Sequence, residues 1–324
     1  MKILLWGMLE NNYGPDNINK GIFTNLSPRF WYPTAQGKYR ELLDALWKLL
    51  RSDLLVVSAA SRKGTVLMAA AKLLGKKSVY IMHGCREAEH QINGTEPPKR
   101  ALAEEAYLLK NADLILPVSR RYMYWAKARY PEYADRMDYI YNGVDKDLFD
   151  TLASAPKEPG SVAVSGGMRL LKNNLVVVQA VEALAGKASL KVYDEGGTGI
   201  PEQYTRAEWM GKLPHEQFLQ ALSGTRLFVL NSVQESFSIS TMEAFACGCS
   251  VLVTEAAGIV DILALEETDI IHDPTDLEEV RGKIDYLLDH PNYDRLRSQF
   301  DPEQWSFGKM VENLEKKCEA LMRK

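Results

Sequence analysis

No apolar run in this sequence approaches the ~18 consecutive residues that a bilayer-spanning helix needs. The opening block Met1-Lys2-Ile3-Leu4-Leu5-Trp6-Gly7 is too short for a secretory signal and reads as a first strand. Cysteine is scarce. Cys85, Cys247, Cys249 and Cys318 form no C-x-x-C pair and no even-spaced framework, which excludes a disulfide scaffold and a structural zinc site. A surplus of positive charge is missing too: a net charge of -4 gives no global attraction to nucleic acid, and no nucleic-acid partner is expected. No G-x-G-x-x-G follows a strand, which argues against a dehydrogenase. The remaining class is a cytoplasmic globular protein.

A length of 324 residues is long for one core and comfortable for two α/β domains. Short apolar runs alternate with helical periodicity throughout. Strands are expected at Met1 to Gly7, Leu54 to Ser58, Ser78 to Met82 and Asp113 to Val118, with helices at 18–26, 38–50, 65–74, 97–111 and 119–130 between and after them. After 151–160, a Pro-, Ala- and Ser-containing break that reads as a linker, the alternation resumes. Its strands are Ser161 to Val164, Leu190 to Tyr193, Leu227 to Leu230 and Ser250 to Val253, and its helices are 174–185, 216–222, 276–290 and 302–323. Alternation of this kind specifies parallel, doubly wound sheets.

The chain is organised around Thr225 to Thr254. An apolar strand is followed by the polar loop Ser232 to Ser238, then by a helix expected to start near Ser240, because Ser240-Thr241-Met242-Glu243 has the form of a capping box. Gly248 suits a left-handed helix end. A helix N-terminus at the carboxyl end of a strand is an anion site, since its first amides lack partners and the dipole is positive there. Glu235 and Glu243 bracket those amides, and carboxylates suit neutral hydroxyls. The element reads as a clamp for sugar, diphosphate and ribose in line.

Seven residues separate the two glutamates in E-S-F-S-I-S-T-M-E-A-F-A-C-G, and this stretch resembles the E-x7-E signature of the family 4 retaining glycosyltransferases. The resemblance implies the GT-B fold, an α/β architecture of two Rossmann-like, doubly wound domains facing a central cleft. It divides the chain into an acceptor domain (1–150), a donor domain (151–301) and a final helix (302–324) crossing back to the first domain. It also implies a metal-independent hexosyltransferase with no cofactor, using a nucleoside diphosphate sugar such as a UDP-sugar. The expected setting is polysaccharide, glycolipid or glycoprotein glycan synthesis, with a glycan, lipid-linked or protein acceptor. Glu235 would hold sugar hydroxyls, Glu243 the ribose, and Phe237, Ser238, Ile239 and Ser240 would line the donor. The acceptor would lose its proton to the departing phosphate, so no separate base is assigned.

The loop Ser165-Gly166-Gly167-Met168-Arg169-Leu170-Leu171-Lys172 is the second donor element. Glycines at 166 and 167 let backbone approach a ligand, and Lys172 is a compact charge suited to phosphate. The resembled family has Gly-Arg-Leu here, with a lysine five residues after the arginine. Lys172 matches that lysine, but Gly167 stands in the arginine's place, and Arg169 is the nearest guanidinium. In the first half, Gly14 is a candidate for approaching the donor. His83-Gly84, directly after a strand, matches the family's crevice histidine, which implies a role for His83 near the sugar. Arg86, Glu87 and Glu89 follow in an expected acceptor-side loop, and Ile140 to Asp145 resembles the last strand of the family's first domain. Asp145-Lys146-Asp147 spells a metal-binding D-x-D, yet its lysine opposes a cation, and a loop and helix start is expected.

Other readings fit the same residues. The departure at Gly167 is compatible with a regulatory subunit that binds a nucleotide sugar without transferring it, and an epimerase would use the same fold without an acceptor. The helix Arg120 to Tyr130 mixes cations with aromatics as interfacial helices do, which would place the chain at the inner face of a membrane. Core packing of Tyr122, Met123, Ala126 and Tyr130 accounts for its apolar arc equally well.

Overall fold

The computed structural model describes residues 1–7, 14–35, 37–153, 155–194, 196–197 and 199–323, side chains at 14–17 and 38 excepted. It divides into two compact units: 1–91 with 95–143 and 305–324, and 92–94 with 144–304. The stretch 151–160 lies inside the second unit, because the chain changes unit at Gly143/Val144. No helix among the described residues is long and apolar enough to cross a membrane.

In the first unit the elements run β1 (Ile3–Gly7), α1 (Gly14–Thr24), β2 (Phe30–Trp31), α2 (Lys38–Arg51), β3 (Leu54–Ser58), α3 (Arg62–Leu73), β4 (Lys77–Met82), α4 (Arg86–Ile92), α5 (Lys99–Asn111), β5 (Leu114–Pro117) and α6 (Arg120–Arg129). The strands form a parallel five-stranded sheet in the order β2-β1-β3-β4-β5, in register through Leu5↔Val56, Val56↔Val79 and Ile81↔Leu116. Strands covered on both faces read as continuous apolar runs, as Leu54-Leu55-Val56-Val57 does. Each such buried side chain contributes about 1.5–3 kcal/mol.

The second unit continues with α7 (Leu148–Thr151), β6 (Ser161–Val164), α8 (Asn174–Ala183), β7 (Ser189–Tyr193), β8 (Ala207–Gly211), α9 (His215–Ser223), β9 (Leu227–Leu230), α10 (Ile239–Ala246), β10 (Ser250–Thr254), β11 (Ile270–Ile271), α11 (Leu277–Asp289) and α12 (Tyr293–Ser298). Its six parallel strands are ordered β11-β10-β9-β6-β7-β8. Leu227 and Val229 join the core with α8 and α11, while Phe228 faces the cluster with α9 and α10, as period-two alternation requires. The sheet order reverses between β6 and β9, and loops leaving such strands diverge to leave a crevice.

Several expectations need correction. Ile140 to Asp145 is not a regular strand: two backbone bonds, Asp138 N to Ile115 O and Ile140 N to Pro117 O, lay the incoming chain beside β5 without extending a ladder. Residues 86–92 are helical rather than loop, and α3 starts at Arg62 because the Ser61 hydroxyl caps the Gly64 amide. The aromatic stretch Pro28 to Pro33 contains the two-residue edge strand β2, and β8 carries no sequence signal because Ala207-Glu208-Trp209-Met210-Gly211 is half-exposed and lacks an apolar run. Lys146 of D-x-D pairs with Glu303 at 2.6 Å, and Asp145 accepts the Asp147 amide in a turn.

The final helix α13 (Phe307–Met322) belongs to the first unit. Ser306 caps it through the Lys309 amide, Glu315 pairs with Arg29 at 2.7 Å, and Lys317 pairs with Asp138. Its first residue explains Gly143, since a Cβ there would lie 2.6 Å from Phe307 Cα. Gly143→Ala should therefore cost about 1–3 kcal/mol through overpacking, read as a lower urea midpoint. An unchanged midpoint would show that α13 has room to move.

Candidate functional site

The two loops that leave the reversal point of the second sheet are joined by side chains. Lys172 Nζ donates to Glu235 Oε2 at 2.5 Å, with both side chains mostly buried. Ser165 Oγ donates to Ser240 Oγ at 2.9 Å, and the Val233 amide bonds to Leu171 O at 3.0 Å. Asn174, buried at the start of α8, donates to Ser165 O and Gly167 O and so fixes the path of the glycine loop. At the end of β9, Asn231 Oδ1 and Ser232 Oγ are buried without a hydrogen-bond partner. A buried polar atom left unpaired is costly, and such atoms at a crevice suit a bound polar ligand.

The glycines at 166 and 167 have φ of 91° and 62°, so both need a conformation that other residues resist. The Gly167 amide donates to Tyr193 O, which aligns the loop with the end of β7. An arginine at 167 would carry a Cβ into left-handed backbone, so Gly167 cannot be exchanged for the family's arginine without strain. Arg169, the expected substitute, donates through Nε to Gly166 O at 2.8 Å and lies 3.5 Å from Asp194 Oδ2. The guanidinium is thus held on the glycine loop, half-exposed, with its charge directed at Asp194.

Helix α10 starts one residue before Ser240. Ser238 is the N-cap at φ 82°, and its hydroxyl bonds to Thr241 Oγ1 rather than to an amide. The expected capping box is therefore absent: Ser240 lies inside the helix, and Glu243, a turn later, meets His215 Nε2 at 2.7 Å. The first intrahelical bond is Met242 N to Ser238 O, which leaves the amides of Ile239, Ser240 and Thr241 at the open end. Phe237 is buried, so it can offer a ligand only backbone; its carbonyl accepts from Ile259 N. Gly248 ends the helix at φ 89°, and the Cys249 amide bonds to Ala244 O.

Two residues of this site escaped the sequence. His215 opens α9 in the turn that follows β8, and without that strand nothing in the sequence marks it as part of a strand-to-helix loop. Asp194 had a visible signal in the glycine-rich stretch after β7, where a Cβ at Gly197 would lie 2.2 Å from Met168 backbone and forces the two loops together.

In the first unit His83 directly follows β4, and Ser58 Oγ, which donates to Asn19 Oδ1 at 2.6 Å, lies 2.9 Å from its Nε2. With the serine proton spent on Asn19, the ring must donate through Nε2, which leaves Nδ1 as the acceptor. Burial pushes its pKa down to about 4, so the ring is neutral at neutral pH. Gly14 is the first residue of α1, and the preceding loop 8–13 lies outside the described residues. Arg86 donates to Ala60 O at 2.7 Å, Glu87 pairs with Arg129 at 2.7 Å, and a Cβ at Gly84 would meet Glu89 Oε1. In α6, Tyr122, Met123 and Ala126 are buried, so core packing accounts for the apolar arc of that helix.

Family models match on both units: "Glycosyltransferase Family 4" over residues 11–148 and "Glycosyl transferases group 1" over residues 202–303. The chain belongs to the family 4 glycosyltransferases. It is 23% identical over 214 residues to a D-inositol 3-phosphate glycosyltransferase of Mycolicibacterium smegmatis, which covers 60% of this chain and 49% of that protein. The chain thus spans about half the length of that relative. Among solved structures, Anabaena HepE in complex with UDP superposes with a TM-score of 0.69 at 15% identity, covering 99% of this chain and 100% of HepE. Sucrose-phosphate synthase of Thermosynechococcus elongatus gives 0.67 at 15% identity, covering both chains fully. The fold of this family 4 chain is GT-B.

Beside α4, Glu105 is buried, with Arg86 N at 3.4 Å from its Oε1, and burial pushes its carboxyl pKa from 4.5 to about 7. A raised carboxyl pKa contributes stability that is complete below pH 4.5 and is lost as pH rises through 7. Glu105→Gln keeps the acceptor and removes the charge. It should be more stable than the parent above pH 7 by on the order of 1–3 kcal/mol, with the difference vanishing below pH 4.5 in urea titrations. A difference independent of pH would show that the carboxyl does not titrate in this range.

Proposed function

We propose that the chain transfers a hexose from a nucleoside diphosphate sugar, UDP-linked as in the HepE complexes with UDP and UDP-glucose, to a glycan, lipid-linked or protein acceptor. The observation that carries this reading is the Lys172–Glu235 pair, set beside the open amides of α10 at the reversal point of the sheet. A donor would replace one contact with two: the diphosphate takes Lys172 and the helix amides, and the sugar hydroxyls take Glu235. Glu243 turns to the ribose. The bond from the anomeric carbon to the β-phosphate oxygen breaks, the acceptor oxygen bonds to that carbon on the same face, and its proton passes to the departing diphosphate. Fixed cations and amides stabilise the charge that develops on the leaving group, each removal costing about 2.7–4 kcal/mol of barrier. We assign this role to Lys172 and to Arg169 without a metal, in the setting of polysaccharide, glycolipid or glycoprotein glycan synthesis.

Calorimetry with UDP and UDP-glucose separates the two carboxylates. Glu243→Gln should weaken both ligands equally, whereas Glu235→Gln should weaken UDP-glucose without weakening UDP, whose binding can only tighten once no carboxylate is left unpaired; equal losses for both variants would end the division of labour. If GDP or ADP binds instead of UDP, the same comparison applies to that base.

Turnover tests the cations. Lys172→Ala should lower kcat by roughly a hundredfold or more and Arg169→Ala by a comparable factor, with activity retained in EDTA. Loss of turnover in EDTA that Mg2+ or Mn2+ restores would refute the metal-free mechanism, and a silent Lys172→Ala would refute transfer at this site. Binding of the donor without transfer or hydrolysis would favour the regulatory reading.

A further inference from the structure

A row of polar side chains crosses the carboxyl ends of three adjacent strands of the first unit. Gly7 and Ser58 end β1 and β3 and lie opposite each other, Ser58 also lies opposite Ile81 of β4, and His83 directly follows that strand. Asn19 and Ser58 are both buried. A Cβ at Gly7 would lie 2.9 Å from each of Asn19 Cγ, Oδ1 and Nδ2, so the amide lies face-on against the glycine and is held there. Ala59, next to Ser58, takes φ 66°, a left-handed backbone that alanine resists, and its amide bonds to Ile81 O at 3.2 Å. Strain of this kind persists only where the surroundings impose it, and it clusters at functional sites.

The two distances at Ser58 decide where the protons are. Ser58 Oγ lies 2.6 Å from Asn19 Oδ1, short for an amide donor and ordinary for a hydroxyl donating to a carbonyl oxygen. It lies 2.9 Å from His83 Nε2, ordinary for a nitrogen donating to oxygen. A serine hydroxyl has one proton, and once that proton is on Asn19 the oxygen can only accept. The imidazole therefore keeps its own proton on Nε2 and presents a bare Nδ1. No described residue is bonded to Nδ1, and His83 is partly exposed. With its pKa pushed down to about 4 by burial, the ring stays neutral at neutral pH.

We propose that Asn19 and Ser58 are positioning residues that lock His83 in its Nε2–H tautomer, so that Nδ1 acts only as an acceptor and selects a hydroxyl of the substrate. An ionised phosphate or carboxylate brings no proton and is repelled by the Nδ1 lone pair, whereas a sugar hydroxyl donates to it. The hydrogen bond at one ring nitrogen thus sets what the other can recognise. The relay belongs to the first unit alone. Only the identity of the hydroxyl rests on the transferase reading.

Long-range proton–nitrogen NMR of the imidazole rings at pH 8 reads the tautomer without a ligand, and His83→Gln assigns its signals among the five histidines. The parent should show a protonated Nε2 and an unprotonated Nδ1. Asn19→Ala frees the Ser58 proton for Nε2 and should convert most of the population to Nδ1–H, whereas Asn19→Asp keeps an acceptor of the same shape and should retain the parent pattern. Ser58→Ala removes a single oxygen, serves where Asn19→Ala does not fold, and should release the ring to a mixture of tautomers. All three positions of change are buried, so thermal midpoints fall in each; a merely structural role would stop there and leave the tautomer alone. A parent with its proton on Nδ1, or one tautomer shared by the parent and both alanine variants, overturns the proposal. UDP-glucose should then shift the Nδ1 resonance towards its hydrogen-bonded position, while UDP and inorganic phosphate leave it in place. UDP-glucose bound with Nδ1 unmoved, a proton taken up by Nδ1, or the same shift with phosphate overturns the selection of a hydroxyl. The expected tautomers in a chain that binds no UDP-glucose uphold the relay and count against the UDP-linked donor instead.

Discussion

An ion pair between two mostly buried side chains, Lys172 and Glu235, closes the reversal point of the second sheet. Strand order forces the loops after β6 and β9 apart at that point, and these two residues bring them together again. Removing either partner would leave a charge without its counterpart in a water-poor crevice, a larger loss than the pair itself is worth. Around the pair the backbone is held by fixed contacts: Asn174 on two carbonyls, Gly167 on Tyr193, Val233 on Leu171. The charges can therefore be re-paired with a ligand while the loops that carry them keep their shape, which is the meaning of preorganisation at an electrostatic site.

The parallel sheets were legible because their strands are covered on both faces and so read as apolar runs, as at Leu54 to Val57 and Leu227 to Leu230. The edge strands were not. Phe30-Trp31 is too short to show a period, and Ala207 to Gly211 is half-exposed with a charged member. The cost of missing that second strand was His215, whose importance comes only from following it. The glutamate spacing identified the family, yet the local chemistry attached to it was partly wrong. Ser-x-x-Glu predicts a capping box from propensity alone, whereas the N-cap is Ser238 at φ 82°, two residues ahead of Ser240, and Glu243 turns to His215. A tertiary partner outcompeted a local one, as it does wherever a side chain is needed elsewhere.

Gly167 illustrates a different limit. By composition it looks like the loss of a cation. By backbone it is a requirement, since φ 62° and the bond from its amide to Tyr193 O hold the loop against β7. The left-handed backbone at Gly166 and Gly167 and the placement of Arg169 belong to one arrangement: the Arg169 side chain folds back over Gly166, where Nε bonds to the carbonyl. With Nε fixed on Gly166 O and a terminal nitrogen 3.5 Å from Asp194 Oδ2, the Arg169 guanidinium is oriented, and a phosphate would have to compete with Asp194 for it.

Both motif carboxylates are occupied before any ligand arrives, Glu235 by Lys172 and Glu243 by His215. Under the proposed function, donor binding would be an exchange of partners rather than the filling of an empty site, and only the surplus over these contacts would appear as affinity. The two exchanges differ in kind. Releasing Glu243 frees an imidazole that is nearly half-exposed and readily hydrated, at little cost, whereas releasing Glu235 frees an ammonium that is 85% shielded from water and must find another anion. A nucleotide lacking the sugar supplies that anion through its diphosphate but leaves Glu235 unsatisfied; a sugar without the diphosphate does the reverse. Under the proposed function, only the intact donor would satisfy both ends of the broken pair, so the Lys172–Glu235 contact would favour nucleotide sugar over either of its parts through the cost of an unpaired buried charge.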